Sequence, residues 1–382
     1  MNFSGIPSRA KLEWNQWRWS CRSRRDLRRY SNWISSLRIT PPEVFVGPDL
    51  PYGGVRGHIR GIARHSSLNT EVVPNGAALG GLEKFSEPLR KRFFDYQPSG
   101  RPSVHSHVIP WFIDWCQVQQ SHGCPWIHTY HLNYFPEHNR GQALRPDQVA
   151  INQALLGPAR NANIKLSVAK WQCDWLSHEH GIETDYLPNG VDVLACNRGD
   201  GSRFRNRFRI ADPFVLWVGR NDPVKNPGDF VRLAQEMVNQ SFVMIGADLD
   251  EQRLEEEWGL HRPGNLMMLG ASSSAEVQDA IAACQAIVVT SYREGLPTLV
   301  LEGMAQACPI VAFDEPGSRE ALGDGDFGYL AKMGDISSLA EQVHRALQDE
   351  KRPIQARERV LEEYDWRVVI RKLDAIYRSG SF

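Results

Sequence analysis

Two carboxylates eight residues apart, Glu294 and Glu302, are the first candidates for chemistry in this sequence. Glu294 lies in a predicted turn that contains a glycine, whereas Glu302 lies within a predicted helix that is otherwise apolar. The helix residues that leave it almost no polar face are Leu299, Val300, Leu301, Met304, Ala305 and Ala307. We therefore expect Glu302 to be buried or half-buried, and a buried carboxylate is costly unless strong donors meet it. Because no basic residue lies one helical turn away, these donors must come from elsewhere, and sugar hydroxyls would serve.

A pair of cations, Arg220 and Lys225, follows a predicted strand at 214–218 and precedes a predicted helix. Arginine can fork onto phosphate oxygens, and lysine supplies a compact point charge. The first turn of the following helix adds free N–H donors. This spacing suits a diphosphate, but two surface cations that cap a loop would have the same spacing.

A glycine-rich turn at Gly53 and Gly54 precedes another predicted helix. Glycines at this place let the backbone approach a phosphate closely. The turn does not have the G-x-G-x-x-G spacing of dinucleotide-binding proteins, and no acidic residue ends a following strand where a ribose would lie. A simple tight turn explains it equally well.

Histidine follows the predicted strand at 126–129, where His131 could donate to a sugar hydroxyl or a leaving phosphate. His105 and His107 alternate along another strand and are therefore expected on one face of the sheet. No further ligands have the spacing of a zinc site, so we predict no metal there. The pairs Asp248/Asp250 and Asp324/Asp326 favour a helix N-cap and a polar turn over a divalent-ion site.

The elements that must position these residues form two series in which short β-rich runs alternate with helical patterns. The first series has predicted strands at 43–47, 70–73, 104–108, 126–129, 164–168 and 185–187, with helices clearest at 55–64, 143–159 and 170–179. The second has strands at 214–218, 242–245, 266–269, 286–290 and 310–313, with helices near 228–239, 274–283, 297–307 and 336–348. Such alternation predicts two doubly wound α/β domains. The polar segment 197–209 is interpreted as the linker between them.

Composition excludes several classes of protein. The chain has 382 residues with a formal net charge of −1, so nothing global indicates a nucleic-acid partner. No run approaches the roughly 20 apolar residues that span a membrane, and the N-terminus lacks the apolar core of a signal peptide. The seven cysteines are scattered without metal-type spacing, which favours reduced thiols in a cytoplasmic protein.

Residues 1–40 differ from the rest, with nine basic residues against two acidic ones and four tryptophans. One interpretation is a helical extension that packs its tryptophans on the body of the protein. The other is contact with an anionic membrane face or an acidic acceptor. The apolar residues form no clean helical stripe, which favours the first.

Taken together, these residues resemble the retaining GT-B glycosyltransferases, closest to family 4. The segment from Glu294 to Glu302 resembles the family's Glu-x7-Glu motif, and 188–192 is similar to its Pro-Asn-Gly-Val-Asp turn. The other similar segments are the glycine turn at 53–54, the clamp at 219–225, the strand and loop at 311–318 and the last helix after 365–366. The resemblance covers about residues 43 to 378, although some 40 residues precede the strand that usually opens such chains.

This resemblance implies a GT-B fold, with two Rossmann-like doubly wound domains facing a central cleft. The implied organisation is an extension at 1–40, an acceptor domain at 41–200, a nucleotide-sugar domain at 201–362 and a helix at 363–382 that crosses back to the first domain. It also implies a hexosyltransferase-type enzyme that needs no metal and no cofactor. Its donor would be a UDP- or GDP-linked sugar, and its acceptor a glycan, a lipid-linked molecule or a small molecule.

The resemblance also assigns roles to residues. Arg220 and Lys225 would neutralise the leaving diphosphate, Glu294 would hold the transferred sugar, and His131 would orient it. Glu302 would hold the ribose hydroxyls. The remaining implied substrate-binding positions are Gly53, Gly54, Gly246, Leu269, Gly295, Leu296, Pro297 and Thr298. The expected location is cytoplasmic, or peripheral at the inner membrane face through residues 1–40.

Two other functions fit the same architecture. A nucleotide-sugar epimerase or hydrolase would consume the donor without an acceptor, and a non-catalytic scaffold would bind nucleotide sugars without turnover. A nicotinamide oxidoreductase is disfavoured, because the dinucleotide fingerprint is missing.

Overall fold

The computed structural model describes residues 8–51, 53–138 and 143–379, with side chains from residue 24 onwards. Two six-stranded sheets, parallel throughout, organise this part of the chain. The first sheet contains β1 (Val44–Gly47), β2 (Thr70–Val72), β3 (Ser103–Ser106), β4 (Trp126–Tyr130), β5 (Ile164–Ser167) and β6 (Asp185–Tyr186), in the order β2-β1-β3-β4-β5-β6. The second contains β7 (Phe214–Val218), β8 (Ser241–Ile245), β9 (Leu266–Leu269), β10 (Ala286–Val289), β11 (Ile310–Phe313) and β12 (Tyr329–Ala331), in the order β12-β11-β10-β7-β8-β9. The predicted pair of doubly wound domains is thus confirmed, and β12 is a strand that the sequence analysis missed.

Helices connect the strands and cover the sheets, as parallel pairing requires. In the first half they are α1 (Ser8–Ile39), α2 (Gly54–His65), α3 (Gly76–Leu79), α4 (Glu87–Phe94), α5 (Pro110–Ser121), α6 (Pro146–Leu156), α7 (Lys170–His180) and α8 (Val193–Cys196). In the second half they are α9 (Gly201–Phe208), α10 (Pro227–Glu236), α11 (Glu251–Trp258), α12 (Ser274–Ala283), α13 (Thr298–Ala305), α14 (Pro316–Ala321), α15 (Ile336–Ala346), α16 (Arg352–Arg359) and α17 (Trp366–Ser379). Short 3₁₀ turns occur at Leu82–Lys84, Pro136–His138, Pro158–Asn161 and Gly323–Gly325, and a π turn at Val360–Tyr364.

The interpretation of 197–209 as a linker is wrong over most of its length. Asp200 caps α9 by accepting from the Arg203 N–H, and Phe204 is buried on the second sheet's core. Arg203 donates to Asp279 of α12 through Nε at 2.6 Å. Phe204 packs into the core although its neighbours in sequence are polar, so this segment is a packed helix.

The last helix, α17, packs on the first sheet rather than on the second. Its apolar residues share a core cluster with Val44, Val46 and Leu166. The ring of Trp366 lies so close to Gly61 and Gly190 that a Cβ on either would approach it to 2.2 or 2.3 Å. Glycine at these two positions therefore lets the Trp366 ring pack closely where the chain returns to the first half.

The helix α1 is attached to the first half through its C-terminal portion. Tyr30, Trp33 and Leu37 are buried, and the Trp33 indole donates to Glu71 at 2.6 Å. The predicted packing of Trp14, Trp17 and Trp19 lies outside the described side chains. Among the described residues, no helix is long and apolar enough to cross a bilayer.

Candidate active site

A cavity of about 410 Å³ lies where the turns after the strands of both sheets face each other. Parallel α/β sheets present their ligand sites at this edge, because the loops and helix N-termini converge there. Ten of the predicted site residues line the cavity, namely Gly53, Gly54, His131, Arg220, Lys225, Glu294, Gly295, Leu296, Pro297 and Thr298. The other three, Gly246, Leu269 and Glu302, are not among its lining residues.

The loop that carries Arg220 and Lys225 is fixed by polar contacts to the neighbouring strand. The Thr290 hydroxyl accepts from the Trp217 indole at 3.0 Å and donates to the Asn226 carbonyl at 2.7 Å. The backbone N–H of Tyr292 donates to the Val224 carbonyl at 2.8 Å. The two cations are therefore held on an ordered turn at the end of β7.

Lys225 and Glu294 pair with each other, their Nζ and Oε1 atoms lying 2.5 Å apart. Glu294 is largely buried, whereas Arg220 is half-exposed and lies 3.4 Å from Asp222. The family resemblance implies that Lys225 and Glu294 hold different parts of a substrate. The structure joins the two side chains in one ion pair.

Glu315, which the sequence analysis did not select, supports this unit from behind. Its carboxylate accepts from the Glu294 N–H and the Gly317 N–H, both at 2.9 Å, and also from the Ser318 N–H. Burial and the nearby charge of Glu294 raise the pKa of Glu315 to about 7. An acidic residue before proline at the start of α14 was the available sequence clue.

Glu302 has the enclosed environment that its apolar helix predicted. Burial raises the pKa of its carboxyl to about 7, and Gln278 of α12 donates to it at 2.9 Å. The Gln278 amide is in turn held by Gln306 at 2.7 Å. The required donor is thus an amide from the neighbouring helix, and the ribose role stays a prediction.

Gly246 and Leu269 lie at the ends of β8 and β9, beside the cation loop. The Gly246 N–H donates to the Leu269 carbonyl at 3.2 Å. A Cβ on Gly246 would lie 2.1 Å from the Gly219 carbonyl oxygen. Gly246 therefore has a packing role, and its predicted contact with a nucleotide stays a prediction.

His131, which lines the opposite wall of the cavity, belongs to a cluster of buried histidines from the first half. One ring nitrogen each from His58, His107 and His131 lies within 4.8 Å of the others. His107 Nδ1 and His131 Nε2 are hydrogen-bonded at 3.0 Å, and His105 contacts Tyr377 at 2.6 Å and Thr129 at 2.7 Å. Desolvation lowers the pKa of all of them, that of His58 to about 4, so these imidazoles are neutral at pH 7.

The fold brings together three histidines that could bind a metal ion. The sequence offered no ligands with zinc-type spacing beyond His105 and His107, but the fold adds His58 and His131 to His107. His58 was missed because it lies in α2, far from the others in sequence. Three neutral imidazoles are a donor set that zinc accepts, although His107 and His131 already satisfy each other. The absence of a metal stays a prediction.

Hydrogen bonds join the two halves of the chain beside the cavity. The Trp171 indole donates to the Gly295 carbonyl at 2.9 Å, and the Asn189 amide donates to the Leu296 carbonyl at 2.8 Å. Glu320 of α14 accepts from the N–H groups of Lys170 and Trp171, at 2.9 and 3.0 Å. A Cβ on Gly295 would lie 1.9 Å from the His131 carbonyl oxygen, so only glycine permits this approach.

The second half of the chain is similar to a known protein family. Residues 200–362 match the family model of glycosyl transferases group 1. Phosphatidyl-myo-inositol mannosyltransferase of Mycobacterium leprae is 23% identical over 306 residues, which cover 73% of this chain and 78% of that protein. D-inositol 3-phosphate glycosyltransferase of Nocardia farcinica is 25% identical over 189 residues, covering 44% of this chain and 40% of that protein.

The fold has a solved counterpart over most of the chain. The Anabaena protein HepE in complex with UDP and glucose superposes with a TM-score of 0.68 and 17% identity, covering 88% of this chain and 99% of that one. At this identity the likeness shows the fold alone. Together, the domain match and the fold support a glycosyltransferase of GT-B architecture.

Proposed function

We propose that this chain, whose residues 200–362 match glycosyl transferases group 1, transfers a sugar from a nucleotide-diphosphate donor to a hydroxyl acceptor with retention of the anomeric configuration and without a metal. The observation that carries the proposal is the cavity itself. It brings Arg220, Lys225 and Glu294 on one wall against His131 on the other.

The chemistry follows from where charge develops. The bond between the anomeric carbon and the diphosphate oxygen breaks, leaving positive charge on the sugar and negative charge on the diphosphate. The acceptor hydroxyl attacks the anomeric carbon from the face that the diphosphate leaves. The departing phosphate oxygen takes the hydroxyl proton, so no protein side chain must form a covalent bond.

Positioned donors at the leaving diphosphate would lower this barrier most effectively. Arg220 and Lys225 supply the positive charge, and the start of α13, which has no side-chain cap, lines the same cavity. Gly54 lies close enough to Thr298 that an added Cβ would be 3.7 Å from its hydroxyl oxygen. The two turns therefore enclose the diphosphate from both halves.

The neutral histidine wall suits a sugar better than a phosphate. His131 is buried and uncharged, so it can orient hydroxyls through hydrogen bonds without attracting the diphosphate. Glu294, paired with Lys225, would hold a hydroxyl of the transferred sugar. A hexose carried by UDP or GDP is the proposed donor, and the HepE complex with UDP and glucose supports UDP as the first candidate.

The acceptor is proposed at the level of chemical class. The names of the two relatives include a phosphatidyl-inositol and an inositol phosphate. They support a lipid-linked or a small-molecule acceptor, and a glycan stays within the same class of hydroxyl acceptors.

A thermal-shift screen against UDP, GDP and ADP, with and without the matching sugars, tests the donor site. We expect one nucleotide diphosphate to raise the melting temperature of the wild type and to lose this effect in Arg220→Ala. If no nucleotide shifts the wild type, the proposed function is wrong.

Donor consumption then separates the other two functions. A transferase should release nucleotide rapidly only with an acceptor, and the NMR coupling of the product's anomeric proton should match that of the donor. Fast consumption without an acceptor would indicate an epimerase or hydrolase, and nucleotide binding without any turnover would indicate a scaffold.

Peripheral membrane contact through residues 1–40 in a cytoplasmic protein is part of the proposal. Arg24, Arg25 and Arg28 have exposed or partly exposed side chains on α1, beside the buried Trp33. Basic helices with tryptophan favour anionic lipid surfaces. Co-sedimentation with vesicles of phosphatidylglycerol, compared with phosphatidylcholine, should detect this contact, and equal binding to both would contradict it.

A further inference from the structure

Arg293 is a third cation of the cavity and differs from the other two in its surroundings. Among the described residues that line the cavity, Arg220, Lys225 and Arg293 are the basic ones. The Arg293 guanidinium carbon lies 4.2 Å from the Phe135 ring centre and 5.3 Å from that of Trp171. Both rings belong to the first half of the chain, so Arg293 reaches across to the opposite wall.

Arg293 also lacks the acidic partner that the other two cations have. Arg220 pairs with Asp222, and Lys225 pairs with Glu294. In the part of the chain that the structure describes, no carboxylate oxygen lies within 4.0 Å of the Arg293 guanidinium. Its Nε is buried and has no hydrogen-bond partner among the described atoms.

The charge of the Arg293 guanidinium is only partly compensated by its surroundings. Desolvation lowers the pKa of Arg293, and the carboxylates of Glu137 and Glu315 offset this only in part from a distance. Stacking on aromatic rings stabilises a guanidinium but does not saturate its N–H donors. A partly buried guanidinium whose buried Nε has no hydrogen-bond partner is incompletely satisfied, and a bidentate oxyanion would complete it.

The first-half wall, to which Arg293 reaches, offers an anion no cation of its own among the described residues. The residues from the first half that line the cavity are apolar, neutral or histidine, and the histidines are uncharged at pH 7. The diphosphate of the donor already has Arg220 and Lys225 on the facing loop. A second anionic group on this side would therefore belong to the other substrate.

We propose that Arg293 is the recognition residue for an oxyanion, a phosphate or carboxylate, carried by the acceptor. This inference rests on the proposed function, because it assigns the acceptor to the wall that faces the donor loop. Phe135 and Trp171 hold the guanidinium flat, so its two terminal nitrogens can fork onto the anion. The acceptor hydroxyl then lies between this anion and the sugar.

Inorganic phosphate, titrated into protein saturated with UDP, tests the subsite while UDP occupies the donor clamp. Binding is followed by tryptophan fluorescence, since Trp171 lies beside the guanidinium. We expect phosphate, but not glycerol, to bind the wild type, and Arg293→Gln to weaken phosphate binding at least about 10-fold, as expected for one lost charge-assisted pair. Arg293→Lys should recover only part of the affinity, because the fork is lost.

Arg345→Gln is the matched control, because Arg345 also lies over an aromatic ring, Tyr329, but away from the cavity. It should bind phosphate like the wild type. Equal phosphate affinity in the wild type and Arg293→Gln, or phosphate that displaces UDP instead of joining it, would overturn the proposal. Thermal unfolding verifies that each variant is folded.

Failure of this inference can be told apart from failure of the proposed function. If UDP does not bind, the donor assignment fails for that nucleotide, and the titration without nucleotide still decides whether Arg293 holds an anion. Once transfer is measurable, Arg293→Gln should raise KM for an anionic acceptor and leave KM for the donor unchanged. A merely structural bridge between the halves would change both.

Discussion

The two walls of the cavity solve different electrostatic problems. The wall from the second half carries charge in pairs, with Lys225 on Glu294 and Arg220 beside Asp222. The wall from the first half carries His131, whose buried imidazole desolvation keeps neutral. Arg220 and Lys225 can donate to a diphosphate, whereas a neutral polar wall can orient hydroxyls without competing for it. This contrast fits the proposed division, in which the second half binds the donor and the first half binds the acceptor.

The family match also distinguishes the two halves. The family match is confined to residues 200–362, the half with the paired charges. The histidine cluster lies outside this match, and so do Phe135 and Trp171, the two rings that Arg293 contacts. We therefore expect variants of the second half, apart from those of Arg293, to affect donor turnover most, and variants of the first half to affect stability and acceptor use.

The largest effect is expected from removing the cations of the second wall. Lys225→Ala and Arg220→Ala should each lower the transfer rate about 10²–10³-fold, because each loses a donor to the leaving diphosphate. Initial rates under donor saturation measure this, with the exposed Lys332→Ala as control. Near-normal transfer by both variants would remove the charged wall from the mechanism.

The buried histidine cluster should make the stability of the protein sensitive to acid. The folded-state pKa of His58 is about 4 against an ordinary value of 6.5, so the unfolded chain binds the proton more readily. The contribution of His58 to stability is complete above pH 6.5 and is lost as the pH falls towards 4, by about 3 kcal/mol in all. Glu302 and Glu315, with raised pKa values, act in the opposite direction between pH 4.5 and about 7.

Because of these opposing groups, the test compares variants rather than the wild type alone. His58→Phe should lose less stability than the wild type between pH 7 and pH 4 in urea unfolding. The exposed His261→Gln should behave like the wild type. An unchanged pH dependence in His58→Phe would show that His58 is not held neutral by the fold.

A smaller effect is expected at Glu302. Glu302→Gln should weaken binding of the free nucleotide about 10-fold, the size of one charge-assisted hydrogen bond. Calorimetry with the nucleotide chosen by the thermal-shift screen measures the affinity, with the surface variant Glu256→Gln as control. Unchanged affinity would remove Glu302 from the ribose role and leave it as a partner of Gln278.

No effect is expected from removing metals. The purified protein should contain no stoichiometric metal, and a chelator should leave the transfer rate unchanged, because the cations supply the positive charge. Stoichiometric zinc that disappears in His107→Ala would reassign the histidine cluster as a metal site.

The alternation of strands and helices, the two sheets and ten of the residues that line the cavity could be predicted from the sequence alone. These depend on short-range periodicity and on the rule that loops after parallel strands converge at one edge. The enclosed state of Glu302 followed in the same way, from the apolar helix around it.

Which of these residues lie together depends on the tertiary fold. The pairing of Lys225 with Glu294, the support from Glu315, the addition of His58 to His107 and His131, and the position of Arg293 between Phe135 and Trp171 all join distant parts of the chain. Segment 197–209 became a packed helix because Phe204 finds a core that its polar neighbours do not indicate. Local pattern specifies which face a side chain occupies, but burial and electrostatic partners are set by the segments that pack against it.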